Sequence, residues 1–183
     1  MASTTRLTID DFERLPQEVA EGHELVQGEL VEAPGNVPDH NKTRDWAVVL
    51  LLPFVLERNL GEVLGEQEYD FDGNAHAPDV SFFGTEKVAF IQRNKRVQRF
   101  VPDLAIEIVS ANDTFHSLIE QKNRYRKCGT REVWIVDTES REVWVFSDRG
   151  KQILDEDSIL STALIPGLQI PVKKLFARIQ PHV

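Results

Sequence analysis

The stretch PDLAIEIVS at residues 102–110 decides the fold, because residues 104–109 are the most apolar strand candidate of the chain. A run this apolar predicts a strand that is covered on both faces. A helix is predicted over about residues 114–127, where apolar residues recur with a spacing of three and four. A further apolar strand follows at residues 132–136. The strand–helix–strand order predicts a sheet with a helix packed against it.

Weaker signals extend this unit in both directions. Thr8 can cap a short helix over residues 9–15, and Pro53 predicts a kink or a break in a long helix over residues 40–59. Further strands are predicted at 23–26, 29–31, 62–64, 68–71, 80–83, 142–146 and near 153, and a last short helix at 172–178. These elements predict an α/β fold, an α+β mixed sheet flanked by helices. We expect one domain over residues 1–183, with a core at about 20–148 on which the N-terminal helix and the C-terminal extension pack.

Length and composition indicate a globular protein. The 183 residues are 41% hydrophobic and 28% charged, which excludes a disordered chain. A single cysteine, Cys128, excludes an intramolecular disulfide and a C-x-x-C metal site. The longest apolar stretch, residues 46–56, has about half the length of a membrane span, and no basic-then-apolar leader opens the chain. We therefore expect a cytoplasmic protein without a membrane partner.

Charge is spread unevenly along the chain. The formal net charge of −9 disfavours indiscriminate binding to polyanions. Residues 93–131, however, contain nine basic and four acidic side chains and form a basic segment inside an acidic protein. Such residues also occur on solvated faces that bind nothing, so both interpretations remain open. The candidate contacts to a nucleic-acid backbone are Arg93, Lys95, Arg96, Arg99 and Arg124.

Two charged residues stand where the apolar pattern requires hydrocarbon. Glu107 lies inside the central predicted strand, and a buried carboxylate is costly unless it is paired, hydrogen-bonded or bound to a metal. On the following helix, the apolar spacing that starts at Phe115 and Leu118 leads to Lys122. An ammonium on the inner face of this helix can reach an acidic group on the sheet. Two other interpretations remain open: Glu107 pairs with a buried base or lies on an open face, and Lys122 extends its head into water.

Asp79 is the third member of this set, since it opens the strand predicted at residues 80–83. An Asp that follows Pro at the start of a strand is also a common turn residue. Asp103 repeats the Pro-Asp pattern four residues before Glu107, so that both lie on one face of the strand. Asp103 is therefore either a further ligand or a structural turn former.

Two carboxylates on neighbouring strands and a lysine suit the hydrolysis of a phosphodiester bond. Mg²⁺ prefers carboxylate oxygens and keeps several waters, and it can activate water and stabilise charge on a phosphate. A nearby lysine can neutralise the negative charge that develops during the reaction. The sequence lacks the motifs of other chemistries, namely G-x-x-x-x-G-K, G-x-G-x-x-G, G-x-S-x-G and H-E-x-x-H.

The order of several short motifs resembles that of the Uma-type restriction endonuclease family, which belongs to the PD-(D/E)XK nuclease superfamily. The motifs are ELVxGEL at 24–30, APDV at 77–80, PDLAIEIVS at 102–110, a helix with Lys122 and Tyr125, and GxREVWIVD at 129–137. The resemblance covers roughly residues 8–148 and implies a restriction-endonuclease-like core.

The resemblance also implies roles for individual residues. Asp79 matches the Asp of the PD motif and Glu107 the acid of the (D/E)XK motif, so both are expected to bind the metal. The superfamily lysine, two residues after this acid, is replaced by Val109, and Lys122 on the following helix is taken as its counterpart. Glu24 is expected as an additional catalytic acid. Two further roles stay open: Glu29 is the alternative to Glu24, and His40 falls where the family tends to carry a histidine.

The leading hypothesis is a Mg²⁺-dependent endonuclease acting on DNA, with Mn²⁺ as an alternative cofactor. Asp79, Glu107, Lys122 and Glu24 are its expected catalytic residues. We also expect a homodimer, because two sites would cut two strands. The alternative is a catalytically inactive nuclease-fold module that binds nucleic acid or a protein partner. A metal-dependent hydrolase of smaller phosphorylated substrates is chemically allowed as well.

Overall fold

The structure is a computed structural model that describes residues 6–33, 35–110 and 113–177. Its helices are α1 (Ile9–Glu13), α2 (Gln17–Ala20), α3 (Pro38–Glu57), α4 (Thr85–Val88) and α5 (Phe115–Lys127), with a 3-10 helix at Val172–Lys174. Its strands are β1 (His23–Val26), β2 (Glu29–Glu32), β3 (Gly61–Gly65), β4 (Glu68–Asp70), β5 (Ala75–His76), β6 (Val80–Gly84), β7 (Val97–Gln98), β8 (Leu104–Ile108), β9 (Glu132–Asp137), β10 (Glu142–Ser147), β11 (Gly150–Leu154), β12 (Ile159–Leu160) and β13 (Ile170–Pro171). The predicted α/β fold, with mixed sheets flanked by helices, is confirmed.

The central sheet of the described part has six strands in the order β11-β10-β9-β8-β6-β3. Its neighbouring strands are antiparallel except β8 and β9, which run parallel with Leu104 opposite Glu132 and Ile108 opposite Val136. Helix α5 provides the crossover between these two strands, because parallel neighbours cannot be joined by a tight turn. The predicted strand–helix–strand unit therefore forms the middle of the sheet.

A second sheet has the order β2-β1-β5-β4-β7 and includes the predicted hairpin. The capped first helix α1 packs on it through Ile9 and Phe12, which are buried with Leu25 and Ala75 of the sheet. Thr8 caps α1 as predicted, because its side chain accepts from the backbone N–H of Asp11. Strands β5 and β7 are only two residues long and gave no recognisable signal in the sequence.

Helix α3 packs on the central sheet and continues through a proline. Its buried side chains recur every four residues, at Thr43, Ala47, Leu51 and Val55. Pro53 cannot donate to the carbonyl of Val49, and Val49 lies on the exposed side of the helix, where the residue is 50% accessible. Of the predicted kink or break, the structure excludes the break, because one helix runs from Pro38 to Glu57. Among the helices in the described ranges, none combines the length and hydropathy needed to cross a membrane.

The C-terminal segment completes the main core. Leu160, Ile165 and Phe176 are fully buried in the same cluster as the side chains of α3. The helix predicted at 172–178 is replaced by one 3-10 turn at Val172–Lys174, and residue 178 lies outside the described residues. Among the described residues after β13, Val172, Leu175 and Phe176 contribute buried apolar side chains to this core.

Asp103 is a structural residue at the start of β8. Its Oδ2 accepts the backbone N–H of Gly84 at 2.9 Å, and its Oδ1 accepts from Nζ of Lys87 at 2.8 Å. The residue is 3% exposed, so these contacts replace the water that its charge would otherwise require. Of the two interpretations of Asp103, the structure supports the turn former, because this carboxylate ties β8 to the turn that begins α4.

Asp103→Ala is expected to lower the free energy of unfolding by about 3 kcal/mol, since it removes a buried carboxylate that accepts from the N–H of Gly84 and from the partly buried ammonium of Lys87. Urea unfolding followed by circular dichroism measures the change. Asp148→Ala is the matched control, because Asp148 pairs with Arg126 while its side chain is 82% exposed. Exposed ion pairs contribute little, and equal losses in the two variants would contradict the assignment.

Candidate active site

A cavity of about 410 Å³ opens where the C-terminal end of β8 meets the second sheet and helices α3 and α5. Its walls carry many titratable side chains from separate parts of the chain. They are Glu24, Glu32, His40, His76, Asp79, Glu107, Asp113, Glu120 and Arg124. Three of the four predicted catalytic residues, Glu24, Asp79 and Glu107, therefore lie in one cavity, and Lys122 does not line it.

The register of two antiparallel strands places Asp79 and Glu107 together. Val80 of β6 is opposite Ile106 of β8, so one further step of the register brings Asp79 opposite Glu107. Directly opposite residues in an antiparallel pair have Cβ atoms about 4.5–5.5 Å apart. The backbone N–H of Ile108 donates to Oδ2 of Asp79 at 2.7 Å, which anchors the carboxylate at the end of β8.

Asp79 has a histidine as its second partner. Nε2 of His40, in the first turns of α3, lies 3.2 Å from Oδ2 of Asp79. His40 is 2% exposed, and its other ring nitrogen, Nδ1, is buried without a hydrogen-bond partner among the described residues. The ring of His40 therefore contacts the carboxylate of Asp79 through Nε2 alone and helps to fix its position.

Glu107 is held by two side chains of helix α5. The hydroxyl of Tyr125 donates to Oε1 of Glu107 at 2.7 Å, and Nε2 of Gln121 donates to the same oxygen at 3.2 Å. Tyr125 is fully buried and stacks on Phe71 with ring centroids 4.2 Å apart, which fixes its hydroxyl. This helix face therefore supports the carboxylate through neutral donors.

The electrostatics of the cavity favour a proton or a cation at this position. Burial, followed by the negative charge of Asp79, raises the pKa of Glu107 well above its usual value, and Glu24 and Asp113 add smaller contributions. The hydrogen bond from Tyr125 opposes this increase. Burial, followed by the charge of Glu107, likewise raises the pKa of Tyr125, so the phenol remains a donor.

Lys122 is placed differently from the prediction. Its Nζ lies 2.5 Å from Oδ1 of Asn123 and 4.8 Å from the ring centroid of Phe146, away from the acidic pair. Lys122 does not line the cavity that contains Asp79 and Glu107, so the structure does not show the expected convergence of the three side chains. Its catalytic role stays a prediction.

The phase of helix α5 explains this difference. The buried face runs through Leu118, Gln121 and Tyr125, with steps of three and four residues. Phe115, from which the predicted spacing started, is 64% exposed and packs against Trp144. Tyr125 could not distinguish the two faces in the sequence, because it lies four residues after Gln121 and three residues after Lys122.

Glu24 belongs to a chain of contacts that the sequence analysis missed. Nδ1 of His76 lies 2.8 Å from Oε2 of Glu24, and the backbone N–H of Ala77 donates to Oε1 at 3.3 Å. Nε2 of the same ring accepts from the guanidinium of Arg124. The only signal for His76 was its position three residues before Asp79. Glu29, the alternative to Glu24, is exposed and lies outside the cavity wall.

The predicted nucleic-acid contacts fall into two groups. Arg124 lines the cavity, whereas the four basic residues of the loop after α4 do not. Three of these four pair with acids: Lys95 with Glu13, Arg96 with Glu68, and Arg99 with Asp70 and Asp10. Arg93 is exposed and has no ion pair among the described residues. Their role in binding nucleic acid stays a prediction.

The donor set fits a hard divalent cation held by two carboxylates. Oδ1 of Asp79 and Oε2 of Glu107 accept no hydrogen bond from the described residues, while the other oxygen of each is occupied. The described residues contain no cluster of three or more His, Cys, Asp or Glu with metal-binding geometry. Mg²⁺ is commonly bound through one or two carboxylates, with water and substrate phosphate as its remaining ligands.

Comparisons with known proteins show the family and the fold of the chain. The sequence model of the Uma2 family, described as "Putative restriction endonuclease", matches residues 9–173. The chain is similar to the crystal structure of a putative nuclease belonging to DUF820 from Anabaena variabilis, with a TM-score of 0.82 and 21% sequence identity. This match covers 93% of the chain and 98% of the other protein, and it establishes the likeness of the fold. No curated protein matches the chain.

Glu107→Gln is expected to stabilise the metal-free protein increasingly as the pH rises. The folded wild type keeps a proton on Glu107 at a pH where the unfolded chain has lost it, so its stability falls once the pH exceeds the unfolded pKa of about 4.5. Glutamine has no proton to lose and can still accept from Tyr125. Urea unfolding in EDTA at several pH values between about 4.5 and 8 measures the difference.

Glu139→Gln is the control for this experiment, since Glu139 lies in the exposed turn between β9 and β10. The gap in unfolding free energy between Glu107→Gln and the wild type should widen with pH, whereas the Glu139→Gln gap should not. A constant gap for Glu107→Gln would show that this carboxyl group titrates normally.

Proposed function

The chain belongs to the Uma2 family of putative restriction endonucleases, and from this premise we propose that it is a metal-dependent endonuclease that hydrolyses DNA phosphodiester bonds. The observation that carries the proposal is the strand register that sets Asp79 opposite Glu107 inside the cavity. Two carboxylates at such a position are costly unless a cation or a proton neutralises them. A metal-dependent nuclease would use such a pair to bind its cation.

In the proposed reaction, Asp79 and Glu107 would hold Mg²⁺ or Mn²⁺. Such an ion would supply an activated water and neutralise charge on the phosphate. His40 and the N–H of Ile108 keep Asp79 in one orientation, and Tyr125 does the same for Glu107. Preorganised groups of this kind need not rearrange when the substrate reacts. Glu24 lines the same cavity and accepts a hydrogen bond from His76.

DNA is proposed as the substrate because of the family, and a homodimer is proposed because two sites would cut two strands. Arg93 and its neighbours in the loop after α4 remain the candidate contacts to the duplex backbone. Arg93 is free for such a contact among the described residues, while Lys95, Arg96 and Arg99 would first have to leave their acidic partners. Sedimentation analysis at several protein concentrations tests the dimer.

A second candidate function is a non-cleaving module of the same fold that binds nucleic acid or a protein. One observation favours it: the side chain that faces Glu107 from α5 is the neutral Gln121 and not a lysine. The two candidates differ in metal binding, because a non-cleaving module has no need for a cation at Asp79. Calorimetric titration with Mn²⁺ separates them, and a partner bound without any metal would favour the module.

We expect the wild type to nick or linearise plasmid DNA with Mg²⁺ or Mn²⁺ and not in EDTA. Asp79→Asn and Glu107→Gln should each lower the rate by about a hundredfold or more, since each removes a charged ligand of the cation. Gel analysis of supercoiled plasmid measures the rates, with Glu139→Gln as the matched control. Undiminished cleavage by both variants would refute the site.

Gln121→Ala is expected to lower the cleavage rate more than Lys122→Ala. The first substitution removes a hydrogen bond to the carboxylate of Glu107, which corresponds to about tenfold in rate. The second removes an ammonium that lies over Phe146, outside the cavity wall. The reverse order of the two effects would restore Lys122 as the residue that acts at the acidic pair.

A further inference from the structure

One guanidinium lies among the carboxylates of the cavity. Arg124 is the only lysine or arginine among the described residues that line it, and six Asp or Glu side chains share the same wall. A phosphate that entered such an acidic space would be repelled unless a positive charge met it. Among the described residues of the cavity wall, Arg124 near the C-terminal end of α5 provides that charge.

The contacts of Arg124 fix its direction. The guanidinium donates to Nε2 of His76, so the proton of this ring lies on Nδ1, which donates to Glu24 at 2.8 Å. The ring of His76 is 4% exposed and meets Tyr125 edge-on with centroids 6.0 Å apart. A guanidinium has five N–H donors, and its contact with His76 leaves donors for an anion in the cavity.

Two of the polar side chains that α5 contributes to the cavity wall, Gln121 and Arg124, contact other residues of the site. Gln121 and Arg124 are three residues apart and lie on adjacent turns. Gln121 contacts Glu107 and Arg124 contacts His76, whereas Lys122 points to Phe146. Helix α5 therefore supplies two groups to the cavity: the neutral amide of Gln121, which contacts Glu107 of the acidic pair, and the guanidinium of Arg124.

We infer that Arg124 is a catalytic residue that binds the phosphate being cleaved, in the role that the PD-(D/E)XK pattern gives to a lysine, and that His76 and Glu24 position it. This inference rests on the proposed function and names the charge that the site brings to its substrate. Arginine suits the task, because its planar fork can bind two phosphate oxygens at once.

The first test compares Arg124→Gln with Lys127→Gln, which removes one positive charge from the exposed face of the same helix. Arg124→Gln should lower the single-turnover cleavage rate by about 10²–10³-fold, and Lys127→Gln should stay within about twofold. Calorimetric titration with Mn²⁺ should show that Arg124→Gln still binds the metal. If the wild type cleaves and Arg124→Gln cleaves equally fast, the inference is overturned while the proposed function stands.

The second test separates positioning from general damage to the fold. His76→Gln keeps an acceptor for Arg124 and should retain more activity than His76→Asn, which does not reach the guanidinium. The double variant His76→Asn with Arg124→Gln should be no slower than Arg124→Gln alone, because residues that act through one group are not additive. Additive losses would overturn the positioning role of His76.

A third measurement does not depend on cleavage. The affinity for a short DNA duplex, measured by fluorescence anisotropy in EDTA at several salt concentrations, reports phosphate contacts. Arg124→Gln should reduce the slope of log affinity against log salt by about one, and Lys127→Gln should leave it unchanged. If the wild type does not cleave, the proposed function fails, and an unchanged slope in Arg124→Gln would then overturn the phosphate contact as well.

Discussion

Two like charges held opposite each other at the end of an antiparallel strand pair are the constraint on which the site depends. The register of β6 and β8, continued by one residue, places Asp79 opposite Glu107. Two neighbouring carboxylates repel each other when both are ionised, and a proton or a cation relieves this repulsion. Without a metal, burial and the same repulsion raise the pKa of Glu107, which favours its protonated form.

The rest of the fold supports this pair from several directions. Helix α3 brings His40 to Asp79, helix α5 brings Tyr125 to Glu107, and the second sheet brings Glu24 and its neighbour His76. These residues are far apart in sequence, so the cavity exists only when both sheets and both helices are assembled. The buried aromatic ring of Tyr125 shows how packing and polarity are combined, since the same side chain fills the core and donates to the carboxylate.

A shift of one residue along α5 changes the chemistry of the site. Successive side chains of an α-helix point about 100° apart, so Gln121 faces the cavity while Lys122 lies over the ring of Phe146 in β10. An exposed aromatic residue, Phe115, misled the sequence analysis because apolar spacing alone does not tell a core face from a surface contact. With the phase corrected, the positive charge at the cavity belongs to Arg124.

The sequence by itself determined the class of fold, most helices and strands, and the three acidic residues that meet in the cavity. Apolar runs, caps and the Pro-Asp strand starts are local signals, and each acts on the residues that carry it. Only the tertiary structure decided that Asp103 ties a turn, that Lys122 points away, and that His76 joins Glu24 to Arg124. Helix phase and contacts between distant segments depend on how the sheets pack, and no short stretch of sequence contains that information.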